Sequence, residues 1–66
     1  MPQYIVRLFD AEGHATHSHT IVAASPDAII RKIASLYRSR PLVEIRAGNS
    51  VVALLTAEEM SVINSS

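Results

Sequence analysis

The sequence contains no cysteine, which excludes disulfide bonds and thiolate metal sites from this chain of 66 residues. A chain this short buries only about 60% of the surface that its unfolded form exposes, so its core is small and its stability marginal. Without disulfides, the remaining sources of stability are good local structure or association with a partner chain. The lack of cysteine also fits a reducing compartment, and we expect a cytoplasmic protein.

Excess charge of either sign and long apolar runs are also missing. Six basic residues balance six acidic ones, which disfavours a protein built mainly to bind phosphate backbones and removes the repulsion that keeps small proteins apart. The longest run of large apolar residues, VVALL at 51–55, is far too short to cross a membrane. No basic segment followed by an apolar stretch begins the chain, so we expect no signal peptide and no membrane association.

Catalytic motifs are missing as well. The sequence has no Gly-rich phosphate loop, no nucleophile elbow and no carboxylate pair at a useful spacing. Ser18 lies between two histidines, but neighbouring side chains on a strand point to opposite faces. A chain of this size leaves little room for the concave pocket that a ligand requires. We therefore expect no enzyme and no cofactor.

The first third of the chain predicts a β-hairpin, and the middle predicts a helix. Residues 3–10 and 14–24 are rich in β-branched and aromatic residues, and Gly13 in the turn between them can take a positive φ. The helix begins with Ser25 as N-cap and Pro26 in its first turn, and Pro41 ends it. Its apolar face comprises Ile29, Ile30, Ile33, Ala34, Leu36 and Tyr37.

A second hairpin follows, with Gly48-Asn49 as its two-residue turn. This turn pairs Ala47 with Ser50 and continues with these pairs: Arg46 with Val51, Ile45 with Val52, Glu44 with Ala53, and Val43 with Leu54. One face then carries Val43, Ile45, Val52 and Leu54. Finally, TAEE at 56–59 matches a capping box and opens a short helix over about 57–63, after which residues 64–66 fray.

These elements predict one α+β domain over residues 1–66. Its ββαββ(α) order favours a single four-stranded antiparallel sheet covered on one face by a single long helix. Strand order 2-1-3-4 keeps every neighbour antiparallel. The alternative order places the third strand parallel to the second.

The pattern of these elements resembles a group of very small bacterial proteins of ββαββ type and unknown function. The resemblance rests on a start like MPxYxVxLFDxEG, on an Ala-containing helix opened by an acidic turn, and on VEIRxGxxxVAxL. It covers most of the chain, from Met1-Pro2 through Asp10 and Glu12-Gly13 to Val43–Arg46 and Val52–Leu54. The resemblance implies the fold and carries no catalytic residues.

All three histidines lie in the stretch HATHSH at 14–19. His17 and His19 project from the same face of a strand about 7 Å apart and can in principle share a metal ion, whereas His14 lies at the turn. A hairpin loop of two or four residues places the pair opposite Leu8 and Val6, and a loop of three residues places it on the other face. Three interpretations stay open: a weak metal site, a pH-sensitive contact, and an ordinary polar edge strand.

Two further surfaces are candidates for binding. Four of the six cations lie along the predicted helix and at its end: Arg31, Lys32, Arg38 and Arg40. They could contact nucleic-acid phosphates or form an ordinary solvated helix face. No aromatic platform for bases accompanies them, since Phe9 and Tyr37 are expected in the core. The other surface is an apolar edge on the fourth strand with the last helix nearby: Val51, Ala53, Leu55, Met60 and Ile63. The last helix could instead cover that edge.

The sequence therefore favours a small interaction or regulatory module that acts as a homodimer. A small core, a net charge of zero and an apolar edge all point to self-association or to another protein partner. Nucleic-acid binding through the basic helix face is the alternative, which the balanced charge disfavours. Weak metal binding by His17 and His19 is the second alternative.

Overall fold

The computed structural model describes residues 2–65 and contains four strands and two helices: β1 (Gln3–Phe9), β2 (Ala15–Val22), α1 (Pro26–Leu36), β3 (Leu42–Ala47), β4 (Ser50–Thr56) and α2 (Ala57–Asn64). The strands form one antiparallel sheet in the order β2-β1-β3-β4, which confirms the predicted topology. The sequence predicted that a single long helix covers the sheet. In the structure α1 has 11 residues, and α2, with 8 residues, packs beside it on the same face of the sheet. Within residues 2–65, neither helix has the length and hydropathy needed to cross a bilayer.

Helix α1 begins as predicted and ends earlier than predicted. The Ser25 hydroxyl accepts a hydrogen bond from the N–H of Ala28 at 3.2 Å, which confirms the N-cap. The last helical residue is Leu36. A turn follows, in which the N–H of Arg40 donates a hydrogen bond of 2.9 Å to the carbonyl of Tyr37. The turn replaces the expected last helical turn because the residue before Pro41 disfavours the helical conformation.

The core lies between one face of the sheet and the two helices. Strand β1 alternates strictly, with Tyr4, Val6 and Leu8 buried and the residues between them at least partly exposed. The complete set of buried residues is Tyr4, Val6, Leu8, Ala23, Ile29, Ile33, Ala34, Val43, Ile45, Leu55 and Met60. All are apolar apart from the tyrosine hydroxyl, so the fold is stabilised mainly by apolar burial.

A β-bulge divides the second hairpin into two registers. Beside the turn, Arg46 pairs with Val51 as predicted, but Ile45 pairs with Ala53, so Val52 is an extra residue without a partner. The predicted pairs beyond that point, Ile45 with Val52, Glu44 with Ala53 and Val43 with Leu54, are therefore wrong by one residue. Since side chains alternate, this shift turns Leu55 toward the helices and Leu54 away from them.

Helix α2 folds back onto α1 and β4. The side chain of Thr56 accepts from the N–H of Glu59 at 3.2 Å, and the Glu59 carboxylate accepts from the N–H of Thr56 at 3.4 Å, which confirms the capping box. Met60 is fully buried. At the other end, the Asn64 amide donates to the carbonyl of Ala34 at 2.8 Å, so the helix includes the first residue of the segment expected to fray. Ser66 lies outside the described residues.

Candidate binding surfaces

Both helices lie on one face of the sheet, and an ion-pair network occupies the middle of the opposite face. The side chain of Glu44 accepts from Arg7 at 3.2 Å and lies 3.8 Å from the guanidinium of Arg46. The Arg7 guanidinium also lies 5.3 Å from the centre of the Phe9 ring. The prediction of Phe9 as core is therefore wrong, since this ring is half-buried on the uncovered face. The network sets two guanidinium groups against one carboxylate and so keeps a net charge of +1, and aliphatic and aromatic side chains surround it.

Exposed apolar side chains flank this network. Val51 is 51% exposed and Leu54 is 52% exposed on β4, and Ile5 is 38% exposed on β1. The register places them together on the face away from the helices, where Ile5 and Val51 both neighbour Arg46, and Leu54 neighbours Glu44. We name Ile5, Val51 and Leu54 the open-face patch.

The structure revises the interaction surface expected from the sequence. Val51 is exposed as expected, but Leu55 is only 5% exposed and Met60 is 0% exposed, so neither is available to a partner. Ala53 and Ile63 are half-buried against the core. The bulge turns Leu55 inward, and α2 packs on the helix side instead of beside an open edge. Leu54, which the sequence placed in the core, takes the exposed position.

The first hairpin also contains an irregularity, and it sets the face of the histidines. Phe9 pairs with Ala15 and Leu8 pairs with His17, so Thr16 is an extra residue in β2. Its hydroxyl donates to the carbonyl of Leu8 at 3.3 Å. Of the two arrangements left open by the sequence, the structure shows the one in which His17 lies opposite Leu8.

His17 and His19 lie on the helix side of the sheet and are nevertheless exposed, because β2 is an edge strand that is exposed along nearly its whole length. Their rings stack at 6.2 Å between centroids with 11° between planes. The His19 ring in turn stacks on Tyr37 at 6.5 Å and 8°. We name His17, His19 and Tyr37 the ring ladder. Tyr37 is half-buried and packs against the core, so its prediction as a core residue is confirmed in part.

The four cations grouped by the sequence do not share one element. Arg31 and Lys32 are exposed on α1, whereas Arg38 and Arg40 lie in the turn after it. This separation follows from the early end of α1. The two turn arginines directly follow Tyr37 instead of extending a basic helix face.

His14 approaches two carboxylates of the first turn. Within residues 2–65, one group of three possible metal ligands has its ligand atoms within 4.8 Å of one another: Asp10, Glu12 and His14. His17 and His19 are not part of it; their rings are nearly parallel, with centroids 6.2 Å apart. The turn itself explains the position of Asp10, whose Oδ1 accepts the N–H groups of Glu12 at 3.0 Å and His14 at 2.9 Å.

These hydrogen bonds give the turn a pH dependence. The N–H of His14 donating to Oδ1 is the main reason that the pKa of Asp10 is below its ordinary value. Because folding lowers this pKa, the carboxylate stabilises the turn above its ordinary pKa of about 3.9, and that contribution is lost as the pH falls through the lowered value. We expect the amide NMR signals of residues 12–14 to shift toward random-coil positions below about pH 4.

The control for this prediction is Asp10→Asn, which keeps a carbonyl acceptor and removes the titrating group. Its turn amides should no longer show the acid transition. An unchanged transition in Asp10→Asn would assign the effect to another group, such as Glu12.

A surface depression of about 390 Å³ lies on α2 and is lined by Glu58, Glu59, Val62 and Ile63. All four residues come from one helix, so no second element directs polar groups into it. This depression therefore lacks the convergent polar side chains that characterise ligand sites.

Comparison with protein-family models, with curated proteins and with solved structures finds no match to this chain. Two surfaces combine residues that are distant in the sequence: the open-face patch and the ring ladder. Sequence reasoning did not select Ile5, although alternation along β1 is the signal that could have identified it. No local signal identifies the contact of Tyr37 with the histidines, because this contact depends on where α1 ends.

Proposed function

We propose that the protein is a small interaction module that forms a homodimer through the uncovered face of its sheet. The observation that carries this proposal is the open-face patch, in which three large apolar side chains lie exposed around the ion pairs of Glu44 with Arg7 and Arg46. Large apolar side chains that lie exposed together on one face of a small domain are typical of a protein-binding site. We assign the protein no catalytic role.

The dimensions of the molecule support a second copy as the partner. Its Cα atoms span 30 × 29 × 16 Å, and in a two-layer fold the two long dimensions lie in the plane of the sheet. A broad side of this size is close to the roughly 800 Å² that each partner buries in a standard interface. The net charge of zero places no long-range repulsion between two copies. A two-fold axis through the sheet face would bring patch against patch.

Face-to-face contact fits the structure better than a dimer formed edge to edge through the apolar edge of β4 that the sequence indicated. Strand β4 is an edge strand, but the bulge at Val52 interrupts its regular spacing. Bulges of this kind twist an edge away from a new strand and disfavour a continuous eight-stranded sheet. The proposal therefore assigns the contact to side chains and not to the β4 backbone.

The test is the mass of the protein in solution, measured by sedimentation over a range of micromolar concentrations. The 7.2 kDa chain should show a reversible increase toward twice that mass. We expect Leu54→Lys to weaken the dimer at least about tenfold, equivalent to about 1.4 kcal/mol. Lysine at this position faces Glu44 across the strands and suits an edge strand, so the fold should be retained.

The matched control is Val62→Lys, because Val62 is 69% exposed and lies on α2, on the other side of the molecule. It should leave the dimer unchanged. A wild-type protein that stays monomeric would overturn the proposal. Dissociation by Val62→Lys alone would assign the contact to α2 instead.

A cytoplasmic location completes the proposal. The lack of cysteine supports it, and cell fractionation tests it.

A further inference from the structure

The ring ladder has the geometry of a set of stacking slots. Successive same-face residues on a strand lie about 6.6–7 Å apart, and the rings of His17 and His19 follow this repeat with centroids 6.2 Å apart. Tyr37 continues the row from the end of α1 at 6.5 Å. All three rings are nearly parallel, with 11° and 8° between neighbouring planes. One row of parallel rings therefore joins two elements of the fold.

The distance between neighbouring rings of the ladder is close to the distance needed to hold one planar ring between them. Stacked bases lie about 3.4 Å apart, so a base held between two rings needs about 6.8 Å between them. The centroid distances of 6.2 and 6.5 Å are the upper limits of the separations between the ring planes, so neighbouring rings move apart by at least about 0.3–0.6 Å to admit a base. His17 and His19 are exposed, whereas Tyr37 packs against the core, so rotation of the histidine side chains is the motion that opens either slot.

The charges beside the ladder favour a planar ligand that carries an anionic group. Arg38 directly follows Tyr37, and the N–H of Arg40 donates to the carbonyl of Tyr37 at 2.9 Å. The side chains of both arginines therefore start from the backbone close to Tyr37. Guanidinium groups bind phosphate oxygens through paired hydrogen bonds.

We propose that the ring ladder binds a nucleobase between neighbouring rings, with the attached phosphate at Arg38 and Arg40. The source of the base is a free nucleotide or a short single-stranded segment, since both present the same flat ring and phosphate. A net charge of zero fits a site for one or two nucleotides better than a tract that follows a long phosphate backbone. The site lies on the helix side of the sheet and does not depend on the proposed dimer.

The experiment is an NMR titration of the intact protein with adenosine monophosphate and, separately, with a short single-stranded oligoadenylate. Base stacking should shift the ring protons of His17, His19 and Tyr37 upfield, while the ring of His14 at the turn stays unchanged. We expect His19→Ala, which removes the ring shared by both slots, to weaken binding at least about tenfold. His19→Phe keeps a flat ring and should retain it. His14→Ala is the matched control.

The two titrations, with the mononucleotide and with the oligonucleotide, identify the source of the base. Saturable binding of the mononucleotide indicates a free nucleotide, and salt-dependent binding of the oligonucleotide alone indicates a single strand. Either result supports the site. Absence of ring shifts with both ligands would overturn it. So would equal shifts with ribose 5-phosphate, which has no base, or binding that His19→Ala leaves intact in a folded protein.

Discussion

Alanine at Leu55 is expected to lower the free energy of unfolding by about 2–5 kcal/mol, whereas alanine at its neighbour Leu54 should change it by about 0.5 kcal/mol or less. Leu55 is 5% exposed and packs under the helices, while Leu54 is 52% exposed on the opposite face. The loss at Leu55 combines the transfer of its side chain to water with the cavity left in the core. In a domain of marginal stability, a loss of this size removes a large part of the total.

Urea denaturation followed by circular dichroism measures both variants. Because association adds to apparent stability, both should be compared below the concentration at which the protein dimerises. The two substitutions are chemically identical and adjacent, so their difference reports only which side chain faces the core. The regular hairpin expected from the sequence makes the opposite prediction. A larger loss at Leu54 than at Leu55 would therefore contradict the bulge.

This hairpin also shows what the sequence does and does not determine. Gly48-Asn49 is a strong turn signal, and the pairs next to it, Ala47 with Ser50 and Arg46 with Val51, were predicted correctly. Beyond them the apolar run VVALL satisfies either register, because every choice places an aliphatic residue on each face. The decision depends on packing: Leu55 fills a position against the helices that the regular register gives to Leu54.

The candidate sites were harder to predict than the fold for the same reason. The two hairpin turns are local signals that set the pairs β1–β2 and β3–β4, and the preference for antiparallel neighbours favoured β3 beside β1 over the alternative beside β2. The ring ladder depends on α1 ending at Leu36, since two or three more helical residues would carry Tyr37 and the arginines elsewhere. Helix ends are weakly specified by sequence, and here a proline and a turn compete with continued helix.

The second large effect is expected at Met60, where alanine should cost about 2–5 kcal/mol of unfolding free energy. Met60 is 0% exposed and is the residue of α2 that is completely buried. Its side chain connects α2 to the core beside α1 and β4. The sequence allowed this methionine either to form an interaction surface or to cover one, and the structure makes it part of the core.

The matched control is Val62→Ala on the same helix, because Val62 is 69% exposed and should change stability by about 0.5 kcal/mol or less. Both variants keep the capping box of Thr56 and Glu59, so helix initiation is the same in each. Two-state urea curves with equal slopes and a lower midpoint for Met60→Ala would show that α2 unfolds together with the domain. An unchanged midpoint for Met60→Ala would mean that α2 is dispensable, and the core would then consist of the sheet and α1 alone.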